Sequence, residues 1–404
     1  MTLDYLSPSL TTGAPTITDN GVECHCKIYG MGVIKNTYVG TTGNVYECIK
    51  ITNANTELEI TCDLIEGIGG INIDSNQGAC VNVTNGKKFH LKCNYVYNHR
   101  NVGLVIGTIS NIISDFNLTI KKIETGIQEN NTPYGTTGLI TYANGFISIS
   151  EIFCSNLGHC FSHRAGLITA KIFKMKTINN VQYRHASTVQ VPGPNQGSDS
   201  QKLILYFDEI QSLREIQQTG YSSDDAIQLT GGTGIFVGRR AFSTDGNGLQ
   251  ITRANTKGYL KCNELISSNR NGLGLNNFTN QITLDVNYIE GNNGDAGAVF
   301  VAGVANFILK NAKCKNLANG SNSRTFWIIP DGNDDPIITF VNLKIVSDGH
   351  IIFFDETLFG NLEINNYGLF VNKEIDSNIK LLIGKDNSIP ALYNYLYIVD
   401  ILLS

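Results

Sequence analysis

Residues 248–316 carry the clearest alternation of apolar and polar positions in the chain. Three consecutive blocks read GLQITRANTKGYLKCNELISSN, RNGLGLNNFTNQITLDVNYIEGN and NGDAGAVFVAGVANFILKNAKCKN. Each block has two short runs in which every second residue is apolar. A small polar turn separates the runs, and an Asn/Gly/Ser break closes the block. Leu249, Leu273 and Val299 recur at intervals of 24 and 26 residues, and Leu260, Leu284 and Leu309 at 24 and 25. Alternation with period two sends one set of side chains inward and the other outward on a strand. One such block cannot bury its apolar side alone. Coils stacked ~4.8 Å apart along a common axis bury it continuously. An antiparallel sandwich also has short strands and regular turns, but the steady period and the scarcity of two-residue hairpin turns favour the coil.

Weaker copies of the block occur on both sides. CIKITN and LEITCDLI are answered by CVNVTN and FHLKCNYV, with Leu58 and Phe89 at a spacing of 31 residues. GLVIGTISN with FNLTIKKI, then GLITYANGFISISEIF, CFSHRAGLITAKIFKMKTI and KLILYFDEI continue the series. Beyond the central blocks come SRTFWIIPDGNDDPIITFVNLKI, HIIFFDETLFGNLEINNYGLFV and IKLLIG. The expected organisation is an N-terminal arm and cap over 1–45 and a parallel β-helix over 46–384. An apolar segment over 385–404 would seal the last coil or touch another subunit. The stretch PGPNQGSDSQ (192–201) reads as a loose loop.

Composition supports strands with polar corners. Charged residues make up 16 % of the 404 residues, and 41 Gly stand against 8 Pro. The net charge of −5 provides no basic footprint for nucleic acid. No apolar run reaches the length of a membrane-spanning helix. The opening MTLDYLSPSLTTG has neither the basic nor the apolar part of a secretory signal. The ten Cys form no CxxC pair. They read as buried free thiols filling small apolar spaces in a chain folded in a reducing cytosol.

Candidate chemistry concentrates in REIQQTGYSSDDAIQLTGGTGIFVGRRAFSTDG (214–246). Asp224 and Asp225 precede the strand AIQL, and Asp245 precedes GLQI about one coil later. Carboxylates on neighbouring coils can flank a glycosidic bond as acid and as base or nucleophile, although Asp is also a common corner residue. Arg239 and Arg240 could hold an acidic sugar, and Trp327 could serve as a sugar platform if exposed. Cys24-His25-Cys26 and the group Cys154, His159, Cys160 and His163 contain metal-ligand types. In the first, neighbours point to opposite faces; in the second, no zinc spacing is matched. Asp331, Asp334 and Asp335 lack calcium-loop spacing. No metal and no cofactor are expected.

Aligned in this way, blocks such as ITRANTKGYLKCNELISSN and LNNFTNQITLDVNYIEGN make residues 46–384 resemble the right-handed parallel β-helix superfamily. That group contains pectate lyases, polygalacturonases and bacteriophage tailspikes and fibres. The resemblance implies an all-β, single-stranded right-handed solenoid. Polygalacturonase-like hydrolases carry an Asp motif, an Asp pair and then Gly-His-Gly. Here SSDDAIQL resembles the pair, STDG follows it instead of preceding it, and Gly-His-Gly is missing. The phage members are similar in low charge and in the lack of an export signal. They imply a virion structural or receptor-binding protein, a homotrimer that contacts other tail proteins and host-surface polysaccharide. A polysaccharide-degrading hydrolase or lyase is the alternative.

Overall fold

A computed structural model of the chain describes residues 2–5, 15–36, 47–67, 78–99, 102–126, 137–155, 158–179, 187–194, 196–214, 224–292, 297–318, 324–329, 337–346, 350–354 and 363–372. Among these, every regular element is a β-strand, and strand pairing is parallel throughout the ladders. The fold is a parallel β-solenoid. Asp331, Asp334, Asp335 and residues 385–404 lie outside the described residues. The chain divides into two compact units, Met1–Arg239 and Arg240–Ser404.

In the first unit, short strands alternate with long ones, and each pairs with its counterpart one coil away. Ile49, Val81, Leu104, Leu139, Phe161, Val189 and Ile227 stack in register along the short strands. All are fully buried. Burying a side chain of this size contributes ~1.5–3 kcal/mol, so the column is a continuous source of stability that no single coil could supply. The long strands Glu57–Gly67, Lys88–Asn98 and Ile113–Thr125 pair in the same manner, with Leu58 against Phe89 and Phe89 against Phe116.

The stack begins ahead of residue 46. The strand His25–Asn36 pairs with Glu57–Gly67, and Ile17–Thr18 pairs with Ile49–Ile51. Residues 17–36 are therefore a coil, read as part of an arm because Gly30 interrupts the alternation. Gly30 adopts a positive φ of 70° at a register shift between Ile28 and Met31. A glycine-centred irregularity of this kind breaks the period-two signal.

Register is reinforced outside by charge. Glu59 stands between Lys27 at 3.3 Å and Lys88 at 2.5 Å, and Glu57 lies 2.6 Å from Lys87. The Lys88 ammonium, with Tyr29 and Lys27, holds the Glu59 carboxyl down to about 2. Over these three strands basic, acidic and basic follow in order, so pairing the first with the third would set like charges side by side. Corners are closed by buried amides. Asn98 donates to the carbonyls of Gly78 and Val102, both at 2.8 Å.

The second unit repeats the scheme with shorter turns. Leu249, Leu273, Val299 and Phe326 form one buried column, and Leu260, Leu284 and Leu309 another. These are the periodic positions of the sequence. Asn271 donates to the Gly297 carbonyl at 2.7 Å and closes a corner.

Candidate functional site

Asp224 and Asp225 stand at the entrance to the short strand Ile227–Leu229. Backbone pairing fixes them there: Thr188 N–H donates to the Asp225 carbonyl and Val189 N–H to that of Ala226, both at 3.0 Å. Neither side chain reaches solvent. The Asp224 Oδ2 oxygen receives Arg214 Nε at 2.7 Å and Nη2 at 2.6 Å. Arg214 ends the strand Lys202–Arg214, and its side chain is only 1 % exposed. A buried carboxylate must be paired to stay ionised, and the guanidinium fills that role. Asp225 Oδ2 lies 3.5 Å from the Gln228 amide nitrogen. Acid–base catalysis on a polymer needs carboxyl groups within hydrogen-bond reach of the sugar, and these two are sealed beneath the corner.

Each of the other expected residues belongs to one of the two units. Asp245 is a half-buried corner residue of the second unit, next to Gly246, whose N–H donates to Ser243 Oγ at 2.7 Å. Arg239 is engaged by Asp208 at 2.8 and 3.2 Å in the first unit. Arg240 reaches Glu264 at 3.3 Å in the second and lies 5.2 Å above the Phe242 ring. Trp327 is half-buried, edge-on to Phe300 at 5.3 Å. Phe300 is its register partner on the neighbouring strand.

The metal-ligand types are also in use. His163 is fully buried. Its Nε2–H donates to the Gly166 carbonyl at 3.0 Å, which leaves Nδ1 to accept from the Thr141 hydroxyl at 2.9 Å. Burial lowers its pKa to about 4. His159 Nδ1 donates to the Ser187 carbonyl at 2.5 Å. His25 faces outward to Glu23 and Glu57, opposite Cys24 and Cys26. No cluster of three metal-ligating side chains occurs among the described residues.

A polar row was missed from sequence. Ser162, Gln190 and Gln228 follow one another in register on three short strands; the two glutamines are half-exposed, and Ser162 is covered. Gln190 donates to Gln228 Oε1 at 3.1 Å, and Ser162 donates to Gln190 Oε1 at 3.4 Å. Arg164 flanks the row, donating to Ser162 Oγ at 3.1 Å and the Tyr142 hydroxyl at 3.2 Å. The segment 192–201 lies alongside and is pinned, contrary to the expectation of a loose loop. Ser198 N–H donates to the Arg164 carbonyl at 2.8 Å, and Gly193 N–H to Thr230 Oγ1 at 3.1 Å. Gln201 is fully buried, and its amide donates to the Pro192 carbonyl. The sequence signal was present as VQV and IQL, glutamine at one position of successive blocks.

The chain matches no protein family model, no curated protein and no solved structure. Geometry alone therefore carries the functional reading. No helix among the described residues is long and apolar enough to cross a membrane.

Proposed function

We propose that the protein is a stiff structural and recognition body, a virion appendage subunit of the tailspike or fibre kind that presents its outer face to host-surface polysaccharide. The reading rests on the half-exposed pair Gln190–Gln228 with Arg164 beside it, propped from below by the buried Ser162. Side-chain amides repeated at the strand spacing of ~4.8 Å match the hydroxyl-rich, uncharged edge of a glycan, and the stacked coils beneath hold them in place before binding. Trimer formation and attachment to other tail proteins belong to the same proposal. Polysaccharide cleavage is the weaker alternative, because Asp224 and Asp225 are sealed and Asp224 is committed to Arg214.

The test is a glycan array probed with the whole chain, followed by Gln190→Ala/Gln228→Ala. The proposal expects retention of a polysaccharide class that the double variant loses while its circular dichroism is unchanged. Release of reducing ends or new ultraviolet absorbance by the parent, abolished in Asp225→Asn, would establish the enzyme instead. Equal binding by parent and double variant would remove the row from consideration.

A further inference from the structure

Four of the buried thiols fall into two pairs. Cys62 and Cys93 are register partners on adjacent long strands. Their sulfurs are 3.5 Å apart, with the Cys62 thiol donating. Cys48 and Cys80 converge in the same way: both sulfurs lie over Gly67, where an added Cβ would sit 3.6 and 2.9 Å from them. All four are free thiols. The two pairs differ in access. Cys48 and Cys80 are wholly buried, whereas Cys62 and Cys93 retain 5 % and 3 % exposure. The second pair lies directly under the exposed corner residues Asp63 and Asn94, which are joined by one side-chain hydrogen bond of 2.8 Å.

We propose that Cys62 and Cys93 are an oxidisable pair that closes into a disulfide between neighbouring coils by exchange with a small-molecule disulfide such as oxidised glutathione. Strand spacing of ~4.8 Å falls within the Cα separation that a disulfide spans. The sulfurs need only rotate toward each other. The hydrogen bond from Cys62 lowers the pKa of Cys93 and raises that of Cys62, which makes Cys93 the attacking sulfur. Its thiolate bonds to one sulfur of the reagent and expels the other half as a thiolate. That thiolate takes up the Cys62 proton. Cys62 then attacks the Cys93 sulfur of the mixed disulfide and releases the second thiolate, which is protonated from solvent. Two protein thiols lose two electrons, and one reagent disulfide becomes two thiols. The cross-link bridges one coil to the next, so a chain folded under reducing conditions gains a covalent clamp when moved to oxidising ones.

The test uses the folded, fully reduced chain in glutathione buffers of graded oxidised-to-reduced ratio. Samples are acid-quenched, free thiols are alkylated with N-ethylmaleimide, and peptides are mapped by mass spectrometry. The expected result is a Cys62–Cys93 linked peptide that rises with the oxidised fraction and is reversed by dithiothreitol. Cys48 and Cys80 should remain alkylatable after denaturation. In Cys62→Ala, glutathione should remain attached to Cys93, because the resolving thiol is gone. Two outcomes overturn the proposal: both cysteines stay reduced at ratios that oxidise dithiothreitol, or linkage appears only in denaturant, together with Cys48–Cys80.

Discussion

His163 offers the sharpest measurable consequence of the packing. In its neutral form both ring nitrogens are satisfied, Nε2–H by the Gly166 carbonyl and Nδ1 by the Thr141 hydroxyl. Protonation would put a second N–H against a hydroxyl already donating, in a site closed to water. Burial accordingly lowers the pKa to about 4, against an unfolded value near 6.5. The folded value lies below the unfolded one, so between pH 6.5 and 4 the unfolded chain binds more protons. Stability is then complete above about pH 6.5 and is lost as pH falls toward 4. The full shift corresponds to roughly 3 kcal/mol, at about 1.4 kcal/mol per pKa unit. At pH 5 the linkage relation gives about 2 kcal/mol.

The perturbation is His163→Gln, which keeps an amide in the site and does not titrate. Urea unfolding of parent and variant at pH 7 and pH 5, followed by circular dichroism, isolates the term as a difference of differences. Constant costs of the substitution cancel. The parent should lose about 2 kcal/mol more than the variant over this interval. Exchange of the His163 C2 proton, followed by mass spectrometry, reads the pKa directly and should give a midpoint near about 4. Equal losses in the two proteins, or a midpoint near 6.5 as in a free histidine, would refute the reasoning.

Two further outcomes follow from the geometry. Asp224→Asn removes the carboxylate that Arg214 contacts at 2.6 Å in a closed site and should cost about 3–5 kcal/mol, read as a lowered denaturant midpoint; a negligible change would refute a stabilising role for the pair. Gly166→Ala places a Cβ 2.3 Å from the Ala143 carbonyl oxygen at a φ of +87°. It should lower stability by roughly 1–3 kcal/mol, and a variant as stable as the parent would contradict the corner described here.

The architecture was legible because the fold repeats. Leu249, Leu273 and Val299, like Leu260, Leu284 and Leu309, are spaced by whole coils, and the structure pairs these same residues. Leu58 and Phe89 pair at the longer spacing also read from the chain. The coil at 17–36 was hidden by the irregularity at Gly30, and segment 192–201 by its composition. Its Gly, Pro and Ser residues signal a turn, but they do not reveal that the Gln201 side chain and the Arg164 carbonyl tie the turn down.

Chemistry was harder to read, for a reason built into the fold. A motif search compares neighbours along the chain, whereas each side chain in a stack has its nearest polar neighbour about one coil away. Cys62 meets Cys93 across 31 residues and Gln190 meets Gln228 across 38. The Asp-Asp step at 224–225 looks like catalytic carboxylates because Asp also begins corners; what favours the corner is the burial of both side chains and the approach of Arg214 to Asp224. When the chain is written as columns of register partners, the features that sequence motifs missed fall into line: a glutamine column, a cysteine pair and a Thr–His pair inside the barrel of coils. In a solenoid the column is the unit in which side chains meet, since successive strands hold its members at fixed spacing. Substitutions that keep each block's alternation but break a column, such as Gln190→Leu, should leave the fold intact while removing the glycan binding proposed for that column.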